Sequence, residues 1–211
     1  MMLLPIVVAR QSHEPVLSAL VRRIRGQLFI DVGANIGYYP RLLESNFSRI
    51  IAVEPDPLTY AYLKKLIPKN CRSVNAAVAE SDGFTLLYRH PDTESSRTAY
   101  ANSWKAVKVP MVSICTLLGD DTSADLVKVD AEGAEMQVLR GAVPVMRRIR
   151  SWAIERHTHT QKDELVSFMK QHGYDCKWLD RNHRFAYFQR GKQVPSISHD
   201  TRTLSAMTPM G

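Results

Sequence analysis

The sequence predicts an α/β fold in which a mostly parallel β-sheet is covered by helices on both faces. Short apolar runs typical of buried strands alternate with stretches of helical periodicity, which is the pattern of parallel strands joined by crossover helices. Two β-rich runs in the middle of the chain predict a hairpin-like insertion. The last two strand-like runs are separated by a short turn and predict an antiparallel last strand.

The chain of 211 residues is long enough for one domain with its own core, and no repeat or change of composition divides it. Its 45% hydrophobic and 23% charged residues exclude disordered, fibrous and membrane-spanning classes. The apolar run at residues 1–9 is short and broken by Pro5, so we predict no signal peptide and a cytoplasmic protein. The net charge of +7 favours anionic partners but does not define a fold.

The first half of the chain predicts three strands with helices between them. Apolar residues at helical spacing predict an amphipathic lead-in helix over residues 11–25, which Gly26 is expected to end as a C-cap. The elements predicted next are a strand at 28–32, a helix at 38–45, a strand at 49–53, a helix at 58–66 and a strand at 71–78.

The second half begins with the insertion, whose strands are predicted at residues 84–88 and 107–114. The polar stretch 89–104 between them is a candidate lid or substrate loop, since long loops without structure of their own are uncommon and often functional. The remaining predictions are strands at 124–129 and 151–156, helices at 134–141 and 162–172, and the closing strands at 176–179 and 184–189.

These elements place a single domain at residues 28–192, preceded by the helical lead-in at 1–27. Residues 193–211 are rich in Ser, Thr and Pro with scattered apolar residues, and we expect a flexible tail there.

The segment at residues 29–39, FIDVGANIGYY, is the most informative part of the chain. It reads as an apolar strand, a glycine-bearing turn and the start of a helix, and such turns bind ligands at the carboxyl ends of parallel strands. Gly33 and Gly37 let the backbone of the turn, which includes Ala34 and Asn35, approach a ligand closely. Asp31 would repel a pyrophosphate but attract an ammonium group, as carried by methionine-type cofactors. That carboxylate and the missing third glycine disfavour a nicotinamide dinucleotide.

A second acidic residue, Glu54, ends the second predicted strand. It follows Asp31 by 23 residues, close to the ~20-residue spacing at which an acidic residue accepts ribose hydroxyls. Pro55 stiffens the loop after it, which suits the wall of a pocket. The two carboxylates together predict a nucleoside site.

Three carboxylates follow the strand predicted at 124–129. Asp130 and Glu132 are candidates to face a cationic centre or to take a proton from a substrate hydroxyl. Glu135 has two equal interpretations, because an acidic residue there would also stabilise the positive end of the following helix.

Glu155 and His157 alternate onto one side of the chain at the end of the strand predicted at 151–156. They are candidates for a catalytic base and its orienting partner. A metal site formed with Asp130 is the alternative, and we predict no bound metal.

With these segments the chain resembles the FkbM-type S-adenosylmethionine-dependent methyltransferases. The matching pieces occur in the family's order, and the string DxEGxExxxLxG is the most specific of them. They are FIDVGANIGYY at 29–39, VEPDP at 53–57, NAAVAESDG at 75–83, DLVKVDAEGAEMQVLRGA at 125–142 and IERH at 154–157.

The resemblance implies a Rossmann-like seven-stranded class I methyltransferase fold and an S-adenosyl-L-methionine cofactor. It further implies O-methylation of a hydroxyl on a sugar or small natural product. Independently of the resemblance, the positions of Glu132, Glu155 and His157 at strand ends make each of them a candidate base for that reaction. In the implied cofactor site, the turn carrying Asp31, Gly33, Asn35 and Gly37 holds the methionine part and Glu54 holds the ribose. Ala77 would lie near the adenine and Asp130 near the sulfonium.

Two other functions are compatible with the sequence. The net charge and three arginine clusters agree with a nucleic-acid methyltransferase, which strong salt dependence of binding would support. A non-catalytic nucleoside-binding module with the same fold would bind the cofactor without turnover. The acceptor and the oligomeric state are not encoded in any pattern of the sequence.

Overall fold

A computed structural model describes residues 14–89, 105–119 and 123–191. The predicted loop beyond residue 89 and the predicted tail at 193–211 lie outside these ranges, as does the start of the lead-in. Among the described residues no helix is both long and apolar enough to cross a membrane.

A seven-stranded, mostly parallel sheet forms the centre of the molecule and confirms the predicted fold class. Its order is β3-β2-β1-β7-β8-β10-β9, and β10 runs antiparallel to both of its neighbours. The strands are β1 (Gly26–Val32), β2 (Phe47–Val53), β3 (Cys71–Val74), β7 (Leu126–Val129), β8 (Ser151–Glu155), β9 (Tyr174–Trp178) and β10 (Phe185–Arg190).

A second, three-stranded sheet contains the predicted insertion. β5 (Gly83–Arg89) pairs antiparallel with β6 (Lys105–Val112), and β6 pairs parallel with the short β4 (Ala77–Val78). Leu87 and Val109 pack with Ala77 in a small core of their own, which holds the three strands together.

Helices cover both faces of the large sheet because alternate residues of its strands point in opposite directions. Leu28 and Ile30 of β1 belong to the core on one face, whereas Phe29 belongs to the core on the other. The helices are α1 (Pro15–Val21), α2 (Tyr38–Leu42), α3 (Pro57–Leu66), α4 (Ile114–Leu118), α5 (Glu135–Gly141) and α6 (Lys162–Gln171), with a 3-10 helix at Val143–Arg148.

The prediction that Gly26 ends the lead-in helix is wrong. The helix α1 already ends at Val21, and Gly26 begins β1. A Cβ at this position would lie 2.2 Å from the side chain of Asp125, whose carboxylate accepts the N–H of Gln27 at 2.6 Å. Glycine is therefore required here by close packing between strands rather than by a helix cap.

The strand predicted over residues 71–78 is also corrected, because it is two strands in two sheets. β3 ends at Val74, and β4 begins at Ala77. Between them the Asn75 side chain donates to the carbonyl oxygens of Glu54 at 2.8 Å and Pro55 at 3.1 Å, which holds the bend. Periodicity could not reveal this division, since both segments are extended and only two residues separate them.

Two helical segments were not predicted. Ile114, placed in a strand by its β-branched neighbours, instead begins α4, because Ser113 caps that helix by accepting the N–H of Thr116. The second segment is the 3-10 helix, which carries Arg147 and Arg148 of the arginine cluster at residues 147–150.

The three cysteines, Cys71, Cys115 and Cys176, are free and half-buried.

Candidate active site

A cleft opens where β1, β2 and β7 end at the carboxyl edge of the large sheet. This is the position at which parallel α/β sheets bind their ligands. Its walls come from the loops that follow these three strands and from the second sheet. The lining residues are Val32, Gly33, Asn35, Val53, Glu54, Pro55, Thr59, Ala76, Ala77, Val78, Leu87, Asp130, Ala131, Glu132 and Ala134.

The turn between β1 and α2 forms the floor of the cleft with a backbone that only small or permissive residues adopt. Gly33 and Gly37 have φ values of 74° and 86°, and Asn35 has 49°. A Cβ on Gly33 would lie 1.9 Å from the carbonyl oxygen of Asp130, so any side chain there would collide with the end of β7. The N–H groups of Gly33 and Ala34 both donate to Val53 O at 3.0 Å, which ties the turn to β2.

Glu54 lies almost fully buried at the side of this turn. Its two carboxylate oxygens accept the backbone N–H groups of Asn35 and Asp56, each at 2.9 Å. Burial raises the pKa of Glu54 to about 7, against the opposing effect of these two hydrogen bonds. The carboxylate is therefore held in one orientation at the cleft wall, with further lone pairs available to a ligand.

An apolar wall stands opposite the glycine turn. Ala77 and Leu87 come from the second sheet, and Pro55 comes from the loop after β2. Because the Asn75 side chain bonds to the carbonyl oxygens of Glu54 and Pro55, the loop and the second sheet are fixed relative to each other. Such a wall accepts a flat, largely apolar group such as a purine base.

Asp31 does not line the cleft, because it is completely buried behind it. Neither of its carboxylate oxygens has a hydrogen-bond partner among the described residues. The buried Lys128, which is its register partner on β7, places its Nζ 3.7 Å from Asp31 and 3.4 Å from Asp130. Burial raises the pKa of Asp31 to about 7, although the lysine opposes this effect. Lys128 thus neutralises part of the acidic charge beneath the cleft.

His157 lies beside the outer part of the cleft, surrounded by carboxylates. Its Nε2 is 3.5 Å from Glu132 Oε2 and 3.8 Å from both Asp130 Oδ1 and Glu155 Oε1. Asp130 follows β7 directly, and Glu155 ends the neighbouring strand β8, so the order of the sheet brings them together. The structure therefore unites all three predicted catalytic residues with Asp130.

A buried carboxylate orients the His157 ring from the other side. Glu135 Oε1 lies 2.7 Å from His157 Nδ1 and also accepts the N–H of Gly133 at 2.9 Å, while Oε2 accepts the Thr160 hydroxyl. Burial raises the pKa of Glu135, but these hydrogen bonds outweigh it and the net pKa is lowered. Burial likewise lowers the pKa of His157, but Glu135, Asp130 and Glu132 overcome it and raise the pKa to about 9.

Glu155 is the most buried acid in contact with His157 Nε2. Its Oε1 accepts the Arg184 Nε–H at 2.7 Å and a second guanidinium N–H from the same arginine. Burial raises the pKa of Glu155 to about 8, and repulsion from Asp130 and Glu14 adds to the shift. Arg184 directly precedes β10 and reaches Glu155 because β10 and β8 pair antiparallel.

The predicted residues therefore occupy two layers. Those that line the cleft are Gly33, Asn35, Glu54, Pro55, Ala77, Asp130 and Glu132. Those that lie behind or beside it are Asp31, Ala34, Gly37, Glu155 and His157. The sequence reasoning missed the roles of Lys128, Thr160 and Arg184. A lysine inside the apolar run Leu126–Val129 was a usable signal for the first, whereas nothing local marked the other two.

The fold and the cleft define a class I methyltransferase architecture, and comparison with known proteins identifies the family. A model of the methyltransferase FkbM domain matches residues 31–176, well over half of the chain. The chain belongs to the FkbM methyltransferase family.

One relative of known activity is the hexuronic acid methyltransferase AglP of Haloferax volcanii, which is 23% identical to this chain over 148 residues. The match spans 67% of this chain and 60% of AglP. The chain therefore matches a little under two thirds of the length of AglP.

Solved structures share the fold at low sequence identity. The methyltransferase FkbM of Methylobacillus flagellatus KT has a TM-score of 0.54 and 16% identity, over 78% of this chain and 43% of that one. The precorrin-6y C5,15-methyltransferase of Geobacter metallireducens GS-15 has a TM-score of 0.51 and 16% identity, over 89% and 91% of the two chains. TrmK of M. capricolum, solved with S-adenosyl-homocysteine, has a TM-score of 0.50 and 11% identity, over 87% and 71%.

Proposed function

We propose that this protein transfers the methyl group of S-adenosyl-L-methionine to a hydroxyl oxygen of a carbohydrate. The observation that carries the proposal is the cleft itself, in which the buried Glu54 and the glycine turn face one another and the far end opens onto Asp130 and Glu132. Membership of the FkbM family and the similarity to a hexuronic acid methyltransferase support the reaction and the acceptor class.

The residues of the cleft fit this cofactor. Gly33 lets the turn lie directly against the end of β7, where any Cβ would collide with the Asp130 carbonyl oxygen, and Glu54 presents a fixed carboxylate suited to two neighbouring hydroxyl groups. Ala77 and Leu87 supply the apolar wall for a base. Asp130 and Glu132 offer negative charge to a sulfonium.

The cofactor, when bound, supplies the activated methyl group, so the protein's task is to align the acceptor and receive its proton. The hydroxyl oxygen forms its bond to the methyl carbon as the carbon–sulfur bond breaks, and the hydroxyl proton must leave. Glu132 is the proposed acceptor of that proton, since it alone of the three predicted catalytic residues lines the cleft. His157 and Glu155, with pKa values of about 9 and 8, hold their protons at neutral pH in the ligand-free protein.

The experiment is a calorimetric titration of the full chain with S-adenosyl-L-methionine and, separately, with NAD⁺. We expect binding of the first and not of the second. The protein is then offered tritiated methyl donor with glucuronate glycosides and with matched glucosides, and label in the purified sugar is counted. A folded protein that binds no methyl donor would overturn the proposal.

A nucleic-acid acceptor is the alternative that the net charge of +7 supports. The described lining of the cleft opposes it, because Asp130 and Glu132 would repel a phosphate backbone at the point of transfer. Label transfer to total RNA, with binding that weakens steeply as salt is raised, would favour that alternative over the sugar.

A further inference from the structure

The cluster around His157 has a second property that methyl transfer by itself does not require. One ligand atom each from Asp130, Glu155 and His157 lies within 4.8 Å of the others. Glu132 adds a third carboxylate, 3.5 Å from the same His157 nitrogen. These contacts exceed the usual length of a hydrogen bond, so the nitrogen faces its acidic neighbours across a small gap.

The gap has nearly the dimensions of a coordination sphere. Ligand atoms about 2.1 Å from a divalent metal lie about 3.0–3.4 Å apart at octahedral to tetrahedral angles. The distances from His157 Nε2 to Glu132, Asp130 and Glu155 are 3.5, 3.8 and 3.8 Å. A contraction of a few tenths of an ångström would bring each of these oxygens to ligand spacing from the nitrogen, and the ligand atoms of Asp130, Glu155 and His157 all lie within 4.8 Å of one another.

The imidazole is oriented as ligating histidines are. Glu135, fully buried, accepts from Nδ1 at 2.7 Å and is itself held by Gly133 and Thr160. Histidines that bind metals commonly donate one ring N–H to a carboxylate, which fixes the tautomer and directs the other nitrogen at the ion. Arg184 fixes the position of Glu155 through two guanidinium N–H groups, both of which Glu155 Oε1 accepts.

Acidic side chains are more numerous than cationic ones among the described residues around the cluster. Asp31 is completely buried with no hydrogen-bond partner for either carboxylate oxygen among the described residues, and it shares Lys128 with Asp130. Apart from His157, the described cations that face the group are Lys128 and Arg184. The acidic groups of the same region are Glu14, Asp31, Asp130, Glu132, Glu135 and Glu155.

We propose that Asp130, Glu155 and His157, with Glu132 beside them, bind a divalent first-row metal ion. One imidazole nitrogen with two or three carboxylate oxygens suits Mn²⁺ or Zn²⁺ better than Mg²⁺ or Ca²⁺, which prefer oxygen alone. The ion's role rests on the proposed function. At the outer end of the cleft it binds the acceptor hydroxyl oxygen and lowers the pKa of that hydroxyl, so that Glu132 receives the proton more readily.

The test is a titration of the full chain, treated beforehand with a chelator, with Mn²⁺. Binding is measured as the loss of the electron spin-resonance signal of free Mn²⁺. A calorimetric titration with Zn²⁺ repeats the measurement for the second ion. We expect one ion per chain. The His157→Gln and Asp130→Asn variants should each bind at least about tenfold more weakly, which is the usual loss when a ligand or its support is removed. His172→Gln is the matched control, because His172 bonds to Phe168 O on α6 and takes no part in the cluster.

The outcomes separate this inference from the proposed function. If neither ion binds to wild-type protein that still binds S-adenosyl-L-methionine, the metal site is wrong and the methyltransferase proposal stands. If an ion binds but the methyl donor does not, the metal site stands and the methyltransferase proposal is wrong. Equal metal affinity in wild type, His157→Gln and Asp130→Asn, with folding of each checked by circular dichroism, would mean unspecific attraction to carboxylates and would also overturn the inference.

Discussion

Glu54 shows at the scale of one residue how a carboxylate is prepared for a ligand. Its burial would be costly without partners, and the N–H groups of Asn35 and Asp56 provide them. Those two bonds use one lone pair of each oxygen. The second lone pair of each oxygen remains available to a ligand in the cleft that Glu54 lines, so this side chain has both a structural and a binding role.

Replacement of Glu54 by Gln tests this dual role. The amide keeps one acceptor oxygen but loses the charge and must turn its NH₂ group toward a backbone N–H. Since a hydrogen bond to a charged group contributes about 1.5–3 kcal/mol, S-adenosyl-L-methionine affinity should fall roughly 10- to 100-fold. Calorimetric titration measures the change.

Glu164→Gln is the control for this experiment, because Glu164 lies on the exposed face of α6 and pairs with Arg140. The affinity of the Glu164→Gln variant for the methyl donor should equal that of the wild-type protein. If Glu54→Gln also binds normally, Glu54 has no part in holding the ribose.

At the scale of elements, the turn between β1 and α2 decides how closely a ligand reaches the sheet. Gly33 and Gly119 both have positive φ, at 74° and 64°. They differ in their surroundings: a Cβ on Gly33 would meet Asp130 O at 1.9 Å, whereas a Cβ on Gly119 would meet no atom of the described residues within 4 Å. The pair separates backbone strain from steric collision.

Gly119→Ala should lower the free energy of unfolding by about 1–3 kcal/mol, because its φ of 64° and ψ of −168° are a combination that residues with a Cβ rarely adopt. Gly33→Ala should lower the free energy of unfolding by more than Gly119→Ala does, because β7 must move away from β1. It should also abolish binding of the methyl donor. Urea denaturation gives the two free energies. Equal losses in the two variants would show that the approach of the Asp130 carbonyl does not constrain the turn.

At the scale of the whole molecule, acidic groups gathered at one edge of the sheet determine the pH dependence of folding. Burial raises the pKa of Asp31 and Glu54 to about 7 and that of Glu155 to about 8, and carboxylates raise that of His157 to about 9. A group with a raised pKa stabilises the fold below its unfolded pKa, and this contribution is lost as the pH rises through the folded pKa.

All four groups therefore act in the same direction. The melting temperature of the ligand-free protein should be highest near pH 4, close to the unfolded pKa of carboxyl groups, and should fall progressively toward pH 9. Below about pH 4 it should fall again, because the pKa of Glu135 is lowered and its stabilising contribution is lost on protonation. Scanning calorimetry at constant ionic strength measures the profile. A melting temperature that is constant or rises between pH 5 and 9 would contradict these pKa directions.

The local pattern of the sequence was sufficient for most of the elements and for the residues at their ends. The apolar runs before Asp31, Glu54, Asp130 and Glu155 predicted strands, and the structure has a strand ending at or next to each. Hydrophobic periodicity is a property of neighbouring residues, so it can be seen without a fold. The same approach failed where tertiary contacts override it, as at Gly26 and at the bend held by Asn75.

The sequence by itself determined the α/β class, the glycine turn beside Glu54 and the FkbM resemblance, since each is carried by a short contiguous segment. Only the tertiary structure decided that β7 lies between β1 and β8. That order places Lys128 beside Asp31 and brings His157 among Asp130, Glu132 and Glu155. The physical reason is that hydrogen bonding between strands joins residues far apart in the chain, and no local pattern records which strands will pair.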